Sequence, residues 1–233
     1  MREKVTAGVA MQKSLSYLSS AIGRKQLMAI TGLVWSGFVL THMAANLLIP
    51  FSAELYNKYS HALITNPAIY LAEGLLVLTL LVHIANGVKL TLENRGARPQ
   101  KYAMGTNGSK APRFQSTWMI FHGSLLAVFL IWHLLTFKFG TDYQIVYDGV
   151  QMRDLHRLVI EIFAQPAYVI GYALCMVGVG LHLSHGFYSS FATLGFYHPR
   201  YSPMIQGLGY LYSFVVAAGF IIPPLYVLMT KAN

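Results

Sequence analysis

Charge is what this sequence has least of. Only 11% of its 233 residues are charged, against 55% apolar, whereas a soluble domain carries about 25% charged residues. That scarcity excludes an ordinary soluble enzyme as a reading of the chain. Cysteine is scarcer still. The single Cys175 lies inside an apolar run, which excludes a disulfide framework, a Cys-x-x-Cys-His haem attachment and a four-cysteine iron–sulfur site; it reads as a small buried apolar side chain. Gly-x-Gly-x-x-Gly and Gly-x-x-x-x-Gly-Lys-[Ser/Thr] fingerprints are missing, as is a Ser/His/Asp set, so no soluble catalytic domain is expected. Nor is a cleavable leader expected. The start is polar and basic as far as Lys25, and the first apolar run is too long for a signal core.

What is present is apolar length. A bilayer crossing takes about 20 mainly apolar residues, and runs of that size occur near 26–50, 67–91, 117–139, 165–191 and 205–230. The chain therefore reads as one all-α integral-membrane domain, 1–233, with five transmembrane helices. The 17 Lys and Arg exceed the 8 Asp and Glu, yet their distribution argues against nucleic acid as the partner. Arg24 and Lys25 precede span one, Arg95, Arg98, Lys101, Lys110 and Arg113 fill the second loop, and Arg200 is in the fourth. The opposite loops mix a few bases with Glu54, Asp142, Asp148, Asp154 and Glu161. Positive residues favour the cytoplasmic face, so the N-terminus is expected inside and the C-terminus outside. The basic inner face suits anionic membrane lipid or a soluble partner protein. In the outer loop, Asp154 to Phe163 reads as a short amphipathic helix at the interface.

Nine histidines are present, and ionisable side chains inside spans are costly enough to be functional hypotheses by default. Four of them fall into a weak internal repeat. Phe-x-x-x-His ends at His42 in span one and at His133 in span three; His-x-x-x-Gly begins at His83 in span two and at His182 in span four. Spans one–two thus resemble spans three–four in the same orientation, a parallel repeat known in membrane proteins. At about 1.5 Å per residue, His42 and His133 both lie about 24 Å above the inner ends of their spans, and His83 and His182 about 12–13 Å above theirs. Two imidazoles level with one another on facing helices are what bis-histidine haem ligation requires, and there are two such sets. The competing reading of each histidine is an imidazole hydrogen-bonded to a neighbouring helix.

Gly87 and Gly186 follow His83 and His182 by one turn, where they either clear a macrocycle edge or serve ordinary small-residue packing. His182 is favoured over His185 as the ligand, because Asn86 takes the place of His185 in span two. His122 reads as a hydrogen-bond donor near a haem. Partners for haem propionates are sought near the inner interface among Arg24, Lys25, Ser20, Thr31, Trp118 and Lys89. Glu54 and Glu73, near the outer face, are the candidates for proton exchange with a quinone; the alternative is a carboxylate facing water.

Longer stretches carry a resemblance. They are "SSAIGRKQLMAITGL", "LTHMAANL", "LVHIANG", "LIWHLL", "DLHRLVIEIF" and "LHLSHGFYSSFATLGFYHPRYSPMIQGLG". Through them nearly the whole chain resembles the membrane-anchor cytochrome b subunit of succinate:quinone oxidoreductases, in its single-chain, five-helix, dihaem form. The resemblance implies a helical bundle whose first four spans hold two b haems. His83 and His182 would bind the inner haem, His42 and His133 the outer. It also implies an iron–sulfur subunit and a flavoprotein subunit as partners, with FAD and the iron–sulfur clusters on those subunits. Electrons would pass between succinate or fumarate and a membrane quinone, menaquinone being the one expected of dihaem anchors, in a bacterial inner membrane. "HMAAN" departs from the glycine-containing sequence that often follows the first ligand, which touches local packing only. Two rivals stay open: the cytochrome b anchor of a hydrogenase or formate dehydrogenase, and a proton-coupled transporter using the histidines as relays.

Overall fold

In the computed structural model, the described residues are 16–97 and 118–231. The basic residues expected inside at 1–15 and 98–117 lie outside them. Along the described residues run α1 (Ala21–Asn46), α2 (Ala53–Ile64), α3 (Ala68–Gly96), α4 (Met119–His133), β1 (Gln144–Tyr147), β2 (Val150–Arg153), α5 (Leu155–Phe163), α6 (Pro166–Thr193) and α7 (Ser202–Lys231). A π-helical turn, Leu134–Lys138, continues α4. Five of these helices are long and apolar enough to cross a membrane: α1, α3, α4 with its π turn, α6 and α7. The protein is a multi-pass, mainly helical membrane protein with one small hairpin.

Local chemistry sets several ends. The Ser20 hydroxyl accepts the Gly23 N–H at 3.1 Å and caps α1. Ser52 does the same for α2 through the Leu55 N–H at 3.2 Å. Pro166 stands in the first turn of α6, where its missing N–H is not needed. Pro223 and Pro224 lie within α7, a placement membrane helices tolerate when neighbours re-satisfy the freed carbonyls.

Helix α1 packs against both α3 and α6, α6 against α4, and α4 more lightly against α3. The contacts form a closed circuit in the order α1, α3, α4, α6. Helix α7 lies outside this circuit, chiefly on α6 and also on α1. At Gly171 a Cβ would stand 2.8 Å from Trp132 Cη2, so α4 and α6 approach closely there only because the side chain is missing. No residue of α3 is buried. Ion pairs hold it at both ends instead: Glu93 with Arg24 of α1 at 2.5 Å, and Glu73 with Lys138 of the π turn.

The connections between spans carry their own core. Ile49, Tyr56, Val159, Phe163, Val169, Tyr172 and Val227 cluster where α2, α5, α6 and α7 meet. The interfacial helix expected over 154–163 is α5, with Asp154 capping it through the Arg157 N–H at 3.0 Å. Its apolar residues Leu158, Val159 and Phe163 are buried against protein. Two elements here differ from a plain connecting loop. One is α2. The other is the hairpin β1–β2, in which Tyr147 pairs with Val150 across Asp148-Gly149; both turn residues have positive φ, 51° and 76°, as a tight two-residue turn demands.

Candidate metal centres

Helix α1 carries His42 and α4 carries His133, and their ring centres stand 5.8 Å apart at 83°. Helix α3 carries His83 and α6 carries His182, with ring centres 6.2 Å apart at 61°. Each pair bridges helices that lie opposite one another in the circuit of contacts, so both pairs meet on its inner side. It is the His182 ring, one turn before His185, that stands this near to His83.

The sequence repeat has a physical counterpart. Phe38, four residues before His42, stacks on it at 5.3 Å and 10°; Phe129, four before His133, lies 5.7 Å from it at 35°. Phe220 of α7 closes on His42 at 5.7 Å. Beside His133, the Tyr172 hydroxyl lies 3.4 Å from Nδ1, and Trp132, Phe137, Phe163 and Tyr168 pack round Tyr172. These aromatic rings give the His42–His133 pair an apolar surround.

At the other pair the close neighbours include small and hydroxylic residues, and the imidazoles of His122 and His185 also lie near enough to His182 to interact with it. A Cβ at Gly32 would stand 3.3 Å from His83 Cε1, and one at Gly123 would stand 3.6 Å from His182 Cε1. Both glycines precede the ligand-type histidine of their own helix by ten residues (Gly32 to His42, Gly123 to His133). Ten residues of α-helix rise about 15 Å, so the two pairs are separated by about that distance along the bundle. Thr31 Oγ1 lies 3.1 Å from His83 Nδ1. His182 Nδ1 is buried with no hydrogen-bond partner. A Cβ at Gly186 would meet nothing within 4 Å, and one at Gly87 would meet only Met28 Cε at 3.9 Å; space is open beside both.

Other expected site residues are placed as follows. His122 is buried on α4. Arg24 is buried too, but its guanidinium is engaged by Glu93 and by the Ser19 carbonyl, leaving its Nε buried and unpartnered. The Ser20 hydroxyl donates to the Tyr17 carbonyl at 2.6 Å. Lys25, Lys89 and Trp118 are exposed. Glu73 is paired with Lys138. Glu54 meets Lys58 at 2.6 Å, and Lys58 also binds Asp148. These two carboxylates are therefore ion-paired. At the same end of the molecule, a cavity of about 360 Å³ is lined by Ile49, Ser52, His156, Ile160, Tyr226 and Thr230, among others.

Chemically, each pair offers two imidazoles and nothing more. Among the described residues no group of three or more His, Cys, Asp or Glu is placed to hold a bare metal ion. A metal bonded at about 2 Å to one nitrogen of each ring would hold the ring centres about 6 Å apart. Both observed separations are close to that, so the residues fit an iron whose remaining ligands come from a macrocycle. Thr31, Gly32, Gly123 and Tyr172 are the neighbours that motif reading did not assign to these imidazoles. The Gly32/Gly123 recurrence at a fixed distance before the histidines was the available signal.

Compared with known proteins, the chain matches no family model, no curated protein and no solved structure.

Proposed function

We propose that this chain is a dihaem cytochrome b membrane anchor of the succinate:quinone oxidoreductase type, the haem- and quinone-bearing subunit of an enzyme whose flavin and iron–sulfur centres sit on partner subunits. The observation that carries this reading is the spacing of the two histidine pairs, 5.8 and 6.2 Å between ring centres, on opposite helices. His83 and His182 would hold one iron, His42 and His133 the other. Bound haem b supplies one-electron transfer at each position. The chain's own part is to present the imidazoles level with each other, to keep water away from the outer pair with Phe38, Phe129 and Tyr172, and to leave space beside Gly87 and Gly186.

Membrane placement gives the arrangement its energetic meaning. An electron crossing the bilayer works with or against the membrane potential at about 2.3 kcal/mol per 100 mV. A quinone, menaquinone on the resemblance, would react near the outer pair. The cavity bounded by Ile49 and Tyr226 lies about two turns beyond His42 and combines apolar walls with the Ser52 and Thr230 hydroxyls. Glu54 and Glu73 are the carboxylates proposed for proton exchange there, a role that requires each to leave its lysine.

The decisive measurement is spectroscopic. Membranes expressing the chain with its neighbouring soluble subunits should give a b-type reduced-minus-oxidised spectrum, and the purified complex two haems per chain. Lack of b-type absorbance would sink the proposal and favour the transporter reading. Copurification with hydrogenase or formate dehydrogenase subunits, in place of a flavoprotein reducing quinone with succinate, would favour the other anchor.

A further inference from the structure

The two imidazoles of the Thr31-side pair do not have equal neighbours. Thr31 Oγ1 is 2.7 Å from the Leu27 carbonyl, 3.2 Å from the Met28 carbonyl and 3.1 Å from His83 Nδ1. A hydroxyl has one proton, and carbonyl oxygens only accept. The proton is therefore directed to the helix backbone, and toward His83 the hydroxyl oxygen is an acceptor beside the Met28 carbonyl, which also takes a hydrogen bond from that ring. His83 must then carry its proton on Nδ1, which leaves the lone pair on Nε2. Gly32 lets the ring stand this close, since a Cβ there would be 3.3 Å from Cε1 and 3.8 Å from Nδ1.

The second half of the repeat departs at this point. Gly123 stands to His182 as Gly32 stands to His83, with 3.6 Å from a notional Cβ to Cε1. The residue before it is His122 where the first half has Thr31. His182 Nδ1, buried, has no hydrogen-bond partner. One imidazole of the pair is fixed by a hydroxyl and the other is not.

We infer that Thr31 is a positioning residue that fixes the tautomer of His83 and makes it the stronger donor of its pair. The inference rests on the haem reading above. A hydrogen bond from the outer ring N–H of a ligating histidine orients the ring and raises its basicity. A more basic ligand favours the oxidised metal, so the Thr31 hydroxyl holds the potential of this centre below what the same two imidazoles would otherwise give. The hydroxyl is then unavailable for a haem propionate.

The test is redox titration of the b-type absorbance in the whole membrane complex. Thr31→Val keeps the side-chain shape and removes the acceptor. It should retain two haems per chain, raise one of the two midpoints and leave the other in place, while Thr31→Ser restores the original value. Unmoved midpoints in a fully loaded Thr31→Val complex would overturn the inference, as would equal shifts in the serine and valine variants. Where the valine variant does not assemble, Thr31→Ala carries the same expectations, because it removes the hydroxyl without adding bulk. A wild-type complex lacking b haem fails the haem reading itself, and that result is read before any variant is made.

Discussion

His182 and His185 stand three residues apart on one helix, and the first has its ring centre 6.2 Å from His83. On the function proposed above, replacing His182 with alanine removes one of the two imidazoles that would hold that centre. The expected outcome is a fall from two haems per chain to one, read by haem extraction against protein. His185→Ala should leave both haems in place. The reverse pattern would reassign the ligand. The pairing of His42 with His133 and of His83 with His182 was readable beforehand, because a helix converts residue number into height. Thr31 was not. Its partner lies 52 positions away in sequence, and nothing local in "AITGL" says which way a threonine hydroxyl turns.

Among the elements, α2 and α5 are joined by one buried polar side chain as well as by their apolar core. Asn57 is fully buried; its Nδ2 donates to Asp154 Oδ1 at 2.8 Å, and its Oδ1 accepts the His156 N–H at 2.9 Å. Asn57→Ala leaves the His156 N–H without its partner, at about 1–3 kcal/mol for such a buried group, while Asp154 Oδ1 keeps the Arg157 N–H. A lowered thermal midpoint of the detergent-solubilised protein is the expected result, with the spectrum of any bound chromophore unchanged at low temperature. The five long helices were legible because their apolar runs exceed any soluble alternative. α2 and the hairpin were not, because their runs are short and mixed. One strong cue did exist: Asp148-Gly149 between "QIVY" and "VQMR" is the dipeptide that tight hairpin turns require.

At the scale of the molecule, the charge asymmetry gives an orientation that cysteine labelling can check. The native Cys175 is buried, so the background is low. An impermeant thiol reagent added to intact cells should label Val150→Cys, at the exposed hairpin, and spare Arg95→Cys at the far end of α3. Labelling of the second and not the first would invert the topology. The arrangement of the long helices has a further consequence. Each facing pair draws one ring from the first half of the repeat and one from the second; the halves also pack directly through α1 on α6, whereas α3 on α4 is slight. A prosthetic group seated in either place would act as a rivet between two hairpins. Supply of that group during synthesis would then bear on how firmly the α3 and α4 edge closes, since α1 already packs directly on α6.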